Sequence, residues 1–136
     1  MLYRQYDLDL AELSHHEDVG LLAYSPLAAG MLTGKYMGGA VPKGSRGEIR
    51  PGLFGRVNPT SEAAVEAYVE VARKHGLDPT QMALSFCRSR PFMASVIFGA
   101  TSIAQLENSL KAAKLDLSEE VMSDILEVYR KYPVPY

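Results

Sequence analysis

The sequence predicts an α/β fold built on parallel strands, and three observations carry that expectation. Leu21-Leu22-Ala23-Tyr24 and Ser95-Val96-Ile97-Phe98 are short apolar runs of strand length and read as buried strands. Between them lie two segments with helical periodicity, and strand, helices, strand in that order implies a right-handed parallel crossover. Each strand also ends in small residues, Ala28-Ala29-Gly30 after the first and Gly99-Ala100-Thr101 after the second. A parallel pair puts both of those ends on one side, where α/β folds bind ligands.

Composition sets outer bounds. The 136 residues permit one domain, and 47% apolar with 22% charged residues is ordinary for a globular protein. A net charge of −2 points to neither nucleic acid nor an anionic membrane surface. No apolar run reaches the roughly 18 residues of a membrane span. The acidic start MLYRQYDLDL lacks the core of a secretory signal, so a cytoplasmic setting is expected. Cys87 has no partner for an internal disulfide and falls on an apolar helix face, so a reduced, buried thiol is expected.

From the N-terminus, Leu8 to Glu17 reads as one short helix with Asp7 as its cap and Leu8, Leu10 and Leu13 as its apolar contacts. His15-His16-Glu17-Asp18 follows. Adjacent residues do not share a helix face, so these read as a solvated helix end and not as a metal site. The run Leu21–Tyr24 opens through Ser25, Pro26 and Leu27 into Ala28, Ala29 and Gly30. Small side chains let a ligand approach the backbone there, and Lys35 follows as a lone cation.

Residues 37–59 hold six glycines and three prolines, so little regular structure is expected. Lys43, Arg46, Arg50 and Arg56 against Glu48 give this stretch +3. A cationic loop beside such a strand end could fold over an anionic ligand. Ser61 to His75 is a clear amphipathic helix through Ala64, Ala67, Tyr68, Val71 and Ala72, stopped at Gly76. Asp78-Pro79-Thr80-Gln81 starts the next helix, with Met82, Ala83, Phe86 and Cys87 on its core face. After the second strand, Ser102 and Gln105 form a capping-box pattern, whose free amides and partial positive charge suit phosphate. Asp116 to Tyr132 is a last amphipathic helix, capped by Ser118. Two parallel strands leave edges and faces open, so the chain is expected to join a larger assembly or to self-associate through those edges.

Two motifs, AYSPLAAGMLTGKY at 23–36 and FGATSIAQLENSL at 98–110, with GLDPTQMALSF at 76–86 between them, resemble the aldo-keto reductases. The likeness is closest to the branch of Tas-like bacterial reductases and potassium-channel β subunits. It implies a partial (β/α)8 TIM barrel: the C-terminal segment, one incomplete domain with about two parallel strands and four or five helices. Residues 20–24 would be the seventh barrel strand and 94–98 the eighth. The resemblance implies NADP(H) as cofactor. Tyr24, Ser25, Pro26, Leu27, Ala28, Ala29 and Gly30 would line the nicotinamide-to-pyrophosphate path, and Lys35 and Arg46 would meet phosphates. Gly99, Thr101 and Ser102 would hold the adenosine-side phosphates, and Gln105 would face the adenosine.

One local departure concerns adenine. Ser109 takes the place of the family's adenine-contacting Asn and Asn108 that of an acid, which turns the Asn about 100° around the helix. The family's reactive Asp, Tyr, Lys and His belong to the preceding portion of the barrel, so no catalytic residue is assigned here. The implied function is the cofactor-binding part of a reductase acting on a small aldehyde or ketone, completed by a separate N-terminal portion. The alternatives are a non-catalytic NADP(H)-binding or regulatory module, and a truncated gene product.

Overall fold

The computed structural model describes residues 1–136. Strands β1 (Leu21–Tyr24) and β2 (Met93–Ile97) pair in parallel, with Leu22 opposite Ser95, Ala23 opposite Val96 and Tyr24 opposite Ile97. The crossover between them contains α3 (Arg46–Ile49), α4 (Pro59–Lys74) and α5 (Pro79–Arg88). The single turn α1 (Gln5–Asp9) and the short helix α2 (Ala11–Glu17) precede the sheet, and α6 (Ile103–Lys111) and α7 (Glu119–Lys131) follow it. At Gly20 any side chain would collide with β2, because a Cβ there would lie 2.6 Å from that of Ala94. No helix is long and apolar enough to cross a membrane.

The core lies between the helices and one face of the sheet. Tyr68 of α4, Met82 of α5, Ile125 of α7, Leu32 and Leu2 are almost wholly buried. Burying such a side chain stabilises the fold by about 1.5–3 kcal/mol each. The caps act as the sequence suggests at three helices: Asp78, Ser102 and Ser118 each accept the amide three residues on. Helix α4 starts earlier than expected, because Asn58 and Ser61 form a reciprocal capping box around Pro59.

Three expectations are corrected. The first helix is two, and Asp7 does not cap it. Asp7 sits in the first turn of α1, where its carboxylate takes Arg4 Nε at 2.8 Å and Arg90 at 3.2 Å. Leu8, Leu10 and Leu13 face solvent. The 37–59 stretch is not featureless: Ser45 caps α3, and Pro51–Gly55 forms a tight 3-10 turn. The strands are not buried runs. Helices cover only one face of the sheet, so Leu22, Tyr24 and Ile97 remain 60%, 77% and 50% exposed on the other. Parallel sheets are ordinarily covered on both faces.

Candidate functional site

The parallel register decides where the site lies. Tyr24 and Ile97 are paired, so Ser25 and Gly99 leave the sheet at the same end.

On the β1 side the chain turns sharply. Ser25, Ala28 and Ala29 all take left-handed φ values of 58°, 49° and 58°. Non-glycine residues in that region cost roughly 1–2 kcal/mol each, and such strain gathers at functional loops. The turn holds itself together: Ala28 donates to the Ser25 carbonyl at 2.9 Å, Gly30 to the Leu27 carbonyl at 2.9 Å, and Ala29 to Ser25 Oγ at 3.3 Å. The amides of Ala28 to Gly30 are therefore hydrogen-bonded within the loop. Pro26 and Ala28 are buried beneath it. Gly30, at φ 96°, makes room for Lys35: a Cβ there would lie 2.9 Å from Lys35 Cε and 3.1 Å from its Nζ. The ammonium is exposed, 5.2 Å from the Tyr36 ring, and has no carboxylate partner.

On the β2 side the donors are free. The amides of Gly99, Ser102, Ile103 and Ala104 make no hydrogen bond within the chain, and they stand at the positive end of α6. Ser102 Oγ takes the Gln105 amide at 3.2 Å, while Gln105 Oε1 reaches back to the Thr101 amide at 3.0 Å and its hydroxyl at 3.1 Å. Gln105 thus braces the turn from one residue before the expected capping box. Asn108 and Ser109 lie elsewhere. Asn108 accepts from Gln81 Nε2 at 2.6 Å and donates to Asp78 at 3.1 Å, fastening α6 to α5, and Ser109 is buried. Their side chains serve packing in this arrangement.

Arg46 is exposed on α3, which packs on the Pro51–Gly55 turn. Its neighbour Gly47 donates to the Tyr36 hydroxyl at 3.1 Å, which ties α3 to the segment that carries Lys35. The cluster beside Tyr24 has only a faint signature in the sequence. The Arg56 guanidinium lies 5.6 Å from the Phe54 ring and 5.7 Å from the Tyr136 ring, and Tyr136 stacks on Tyr3 at 5.4 Å. Burial works against the Arg56 charge, but the phenolic oxygens of Tyr136 and Tyr24 outweigh it and raise the arginine pKa. Burial likewise raises the pKa of Tyr136, with Arg56 opposing it. A basic residue spaced from an aromatic in FGRV was the only available signal.

Two adjoining strand ends, a row of unbonded amides and an unpaired ammonium make this the candidate site, at the carboxyl end of a parallel α/β sheet where such folds bind ligands. Comparison with known proteins gives this class a family. Residues 1–130 match the sequence model of the Aldo/keto reductase family, and the chain belongs to it. It is 45% identical to "Protein tas" of Escherichia coli (strain K12) over 135 residues, 99% of this chain and 39% of that protein. It is 33% identical to the "Probable voltage-gated potassium channel subunit beta" of Arabidopsis thaliana, across 93% of this chain and 40% of that protein. A rice protein of the same description is 36% identical over 85% of this chain. The chain thus spans about two fifths of the length of these relatives.

Proposed function

We propose that this chain binds the phosphates of NADP(H) across its two strand ends, as the cofactor-holding part of an aldo-keto reductase that acts on a small aldehyde or ketone. The observation that carries the reading is the parallel register, which sets the Ser25 turn beside the Gly99–Ser102 turn. The residues present fit the group. The free amides of Ser102 to Ala104 and the α6 terminus suit a phosphate, and Lys35 suits a second. Tyr24, at 77% exposure, offers an open ring where the nicotinamide path would begin. Bound NADPH would supply a hydride. This chain's part is to hold and orient, and the proton donor is assigned to the preceding barrel strands. Those strands would also cover Leu22 and Ile97.

Arg46 is exposed and free of any ion pair, so it is available for the additional phosphate that separates NADP(H) from NAD(H). Fluorescence titration with NADPH and NADH tests the reading. NADPH should bind more tightly than NADH, Lys35→Met should weaken both about tenfold, and Arg46→Ala should narrow the gap between them. Equal affinity for both nucleotides in the parent and the Arg46 variant would remove the Arg46 assignment. A Lys35→Met variant that binds as the parent does would remove the phosphate site.

A further inference from the structure

A second cleft lies between the 37–57 loop and the first two turns of α4. Its volume is about 770 Å³, within the range of small-molecule sites. None of Ser25 to Gly30, Lys35 or Gly99 to Gln105 lines it. The floor is apolar, made by Met31, Leu53 and Val65, which are 3%, 2% and 5% exposed.

The charge on the walls is of one sign. Glu48, Glu62 and Glu66 line the cleft, and no Lys, Arg or His does, although the loop itself carries four cations. None of the three carboxylates is in a salt bridge. Glu48 accepts only the Gly44 amide, at 2.5 Å. Glu62 and Glu66 stand one turn apart on α4, an arrangement in which like charges weaken a helix. Glu62 gains something from the helix start, but Glu66 contributes nothing to folding that the structure reveals.

We infer that this cleft binds an organic cation with an apolar body, an amine whose hydrocarbon part fills the floor while its ammonium meets Glu62 and Glu66, one turn apart on α4, with Glu48 adding negative charge to the opposite wall. Charge complementarity selects this occupant. An anion would be repelled by all three acids, and a neutral apolar molecule would use the floor but gain nothing from them. A hard metal ion needs a close oxygen cage, whereas the surroundings here are Met, Leu and Val, and no group of three metal-ligating side chains exists in the chain.

The test uses three probes with one skeleton: 2-naphthylmethylamine, 2-naphthalenemethanol and 2-naphthoate, titrated into the full chain by calorimetry. The amine should bind about tenfold more tightly than the alcohol, and the naphthoate should not bind. The Glu62→Gln/Glu66→Gln double variant should bring the amine to the level of the alcohol. Both acids are exposed, so the variant should fold, and circular dichroism checks that it does. Val65→Trp, which fills the floor, should abolish binding of amine and alcohol alike. Glu119→Gln/Glu120→Gln, on α7, should leave all three titrations unchanged. Equal binding of amine and alcohol, absence of binding by every probe, amine affinity that survives the Glu62/Glu66 change, or equal loss in the α7 control would each overturn the inference.

Discussion

Gly30→Ala separates two roles that the strand-end turn combines. Gly30 sits at φ 96°, and an alanine there is strained whatever the space around it. A residue with a Cβ held in the left-handed region costs roughly 1–2 kcal/mol. The new methyl would also meet Lys35 Cε at 2.9 Å and Nζ at 3.1 Å. Both atoms belong to the far end of a flexible side chain, so Lys35 should swing aside without resisting the fold. The first effect is on stability and the second on ligand position, and the two are measurable on one sample.

Urea unfolding should report a loss of about 1–2 kcal/mol for Gly30→Ala. NADPH titration should report weaker binding by several-fold, approaching the loss from Lys35→Met. A double-mutant cycle isolates the cause. In the Lys35→Met background, Gly30→Ala should still lower stability but should weaken NADPH no further. If the second substitution costs as much affinity without Lys35 as with it, displacement of the lysine is not the mechanism. Gly30 would then act through the backbone of the turn.

Other outcomes follow from the same structure. Ala29→Gly releases a left-handed alanine at φ 58°, and after the greater freedom of glycine in the unfolded chain it should add roughly 0.5–1 kcal/mol by urea unfolding. Burial pushes the Tyr68 hydroxyl from 10 up to about 12, so the folded state favours its neutral form. That contribution is present below pH 10 and is lost as pH rises toward 12, about 2 kcal/mol across the window. Tyr68→Phe should lack this loss when unfolding of both proteins is compared at pH 9 and pH 12. Hydrogen bonds from Lys74 and His75 hold the Asp124 carboxyl below its usual range. Its contribution is present above the ordinary carboxylate pKa and lost as pH falls through the depressed value. Asp124→Asn should therefore flatten the acid limb of the stability profile, read by unfolding at pH 7 and pH 3.

What the sequence made legible was local chemistry. Asp78, Ser102 and Ser118 are readable as caps because an Asp or Ser just before a helical period is favoured there, whereas Asp7, read in the same way, pairs with Arg4 and Arg90 instead. The α4 start was misplaced by two residues because Asn58-Pro59-Thr60-Ser61 offers two competing caps, and only the reciprocal bonds of Asn58 and Ser61 decide between them. The left-handed Ser25, Ala28 and Ala29 were invisible, since their residue types favour other conformations and only the closed turn enforces this one. Asn108 could not be placed from its motif because its partners, Gln81 and Asp78, stand about 30 residues earlier in the chain. Burial of the strands was over-read for a related reason: an apolar run reports what a strand can bury, not which neighbour covers it.

The exposed apolar residues form a pattern with a testable consequence. Leu22, Tyr24 and Ile97 share the bare face of the sheet. Leu8, Leu10 and Leu13, just before β1, are open to solvent, as are Ile103, Leu106 and Leu110 on α6 just after β2. Apolar rows therefore flank the sheet in the chain on both sides, next to strand edges whose outward amides and carbonyls have no ladder partner. In a layered α/β fold, helices adjoining an edge strand pack over the strand beyond it. We therefore propose that the sheet extends at both edges, as a reductase barrel would provide. Hydrogen exchange can detect it. The outward amides of β1 and β2 should exchange quickly in the isolated chain and become protected when a polypeptide carrying the remaining barrel strands is added. Protection should appear at both edges together, with Leu22 and Ile97 losing solvent contact. Fast exchange that persists in the mixture, or protection already complete in the monomeric chain, would show that these edges are not where the sheet grows.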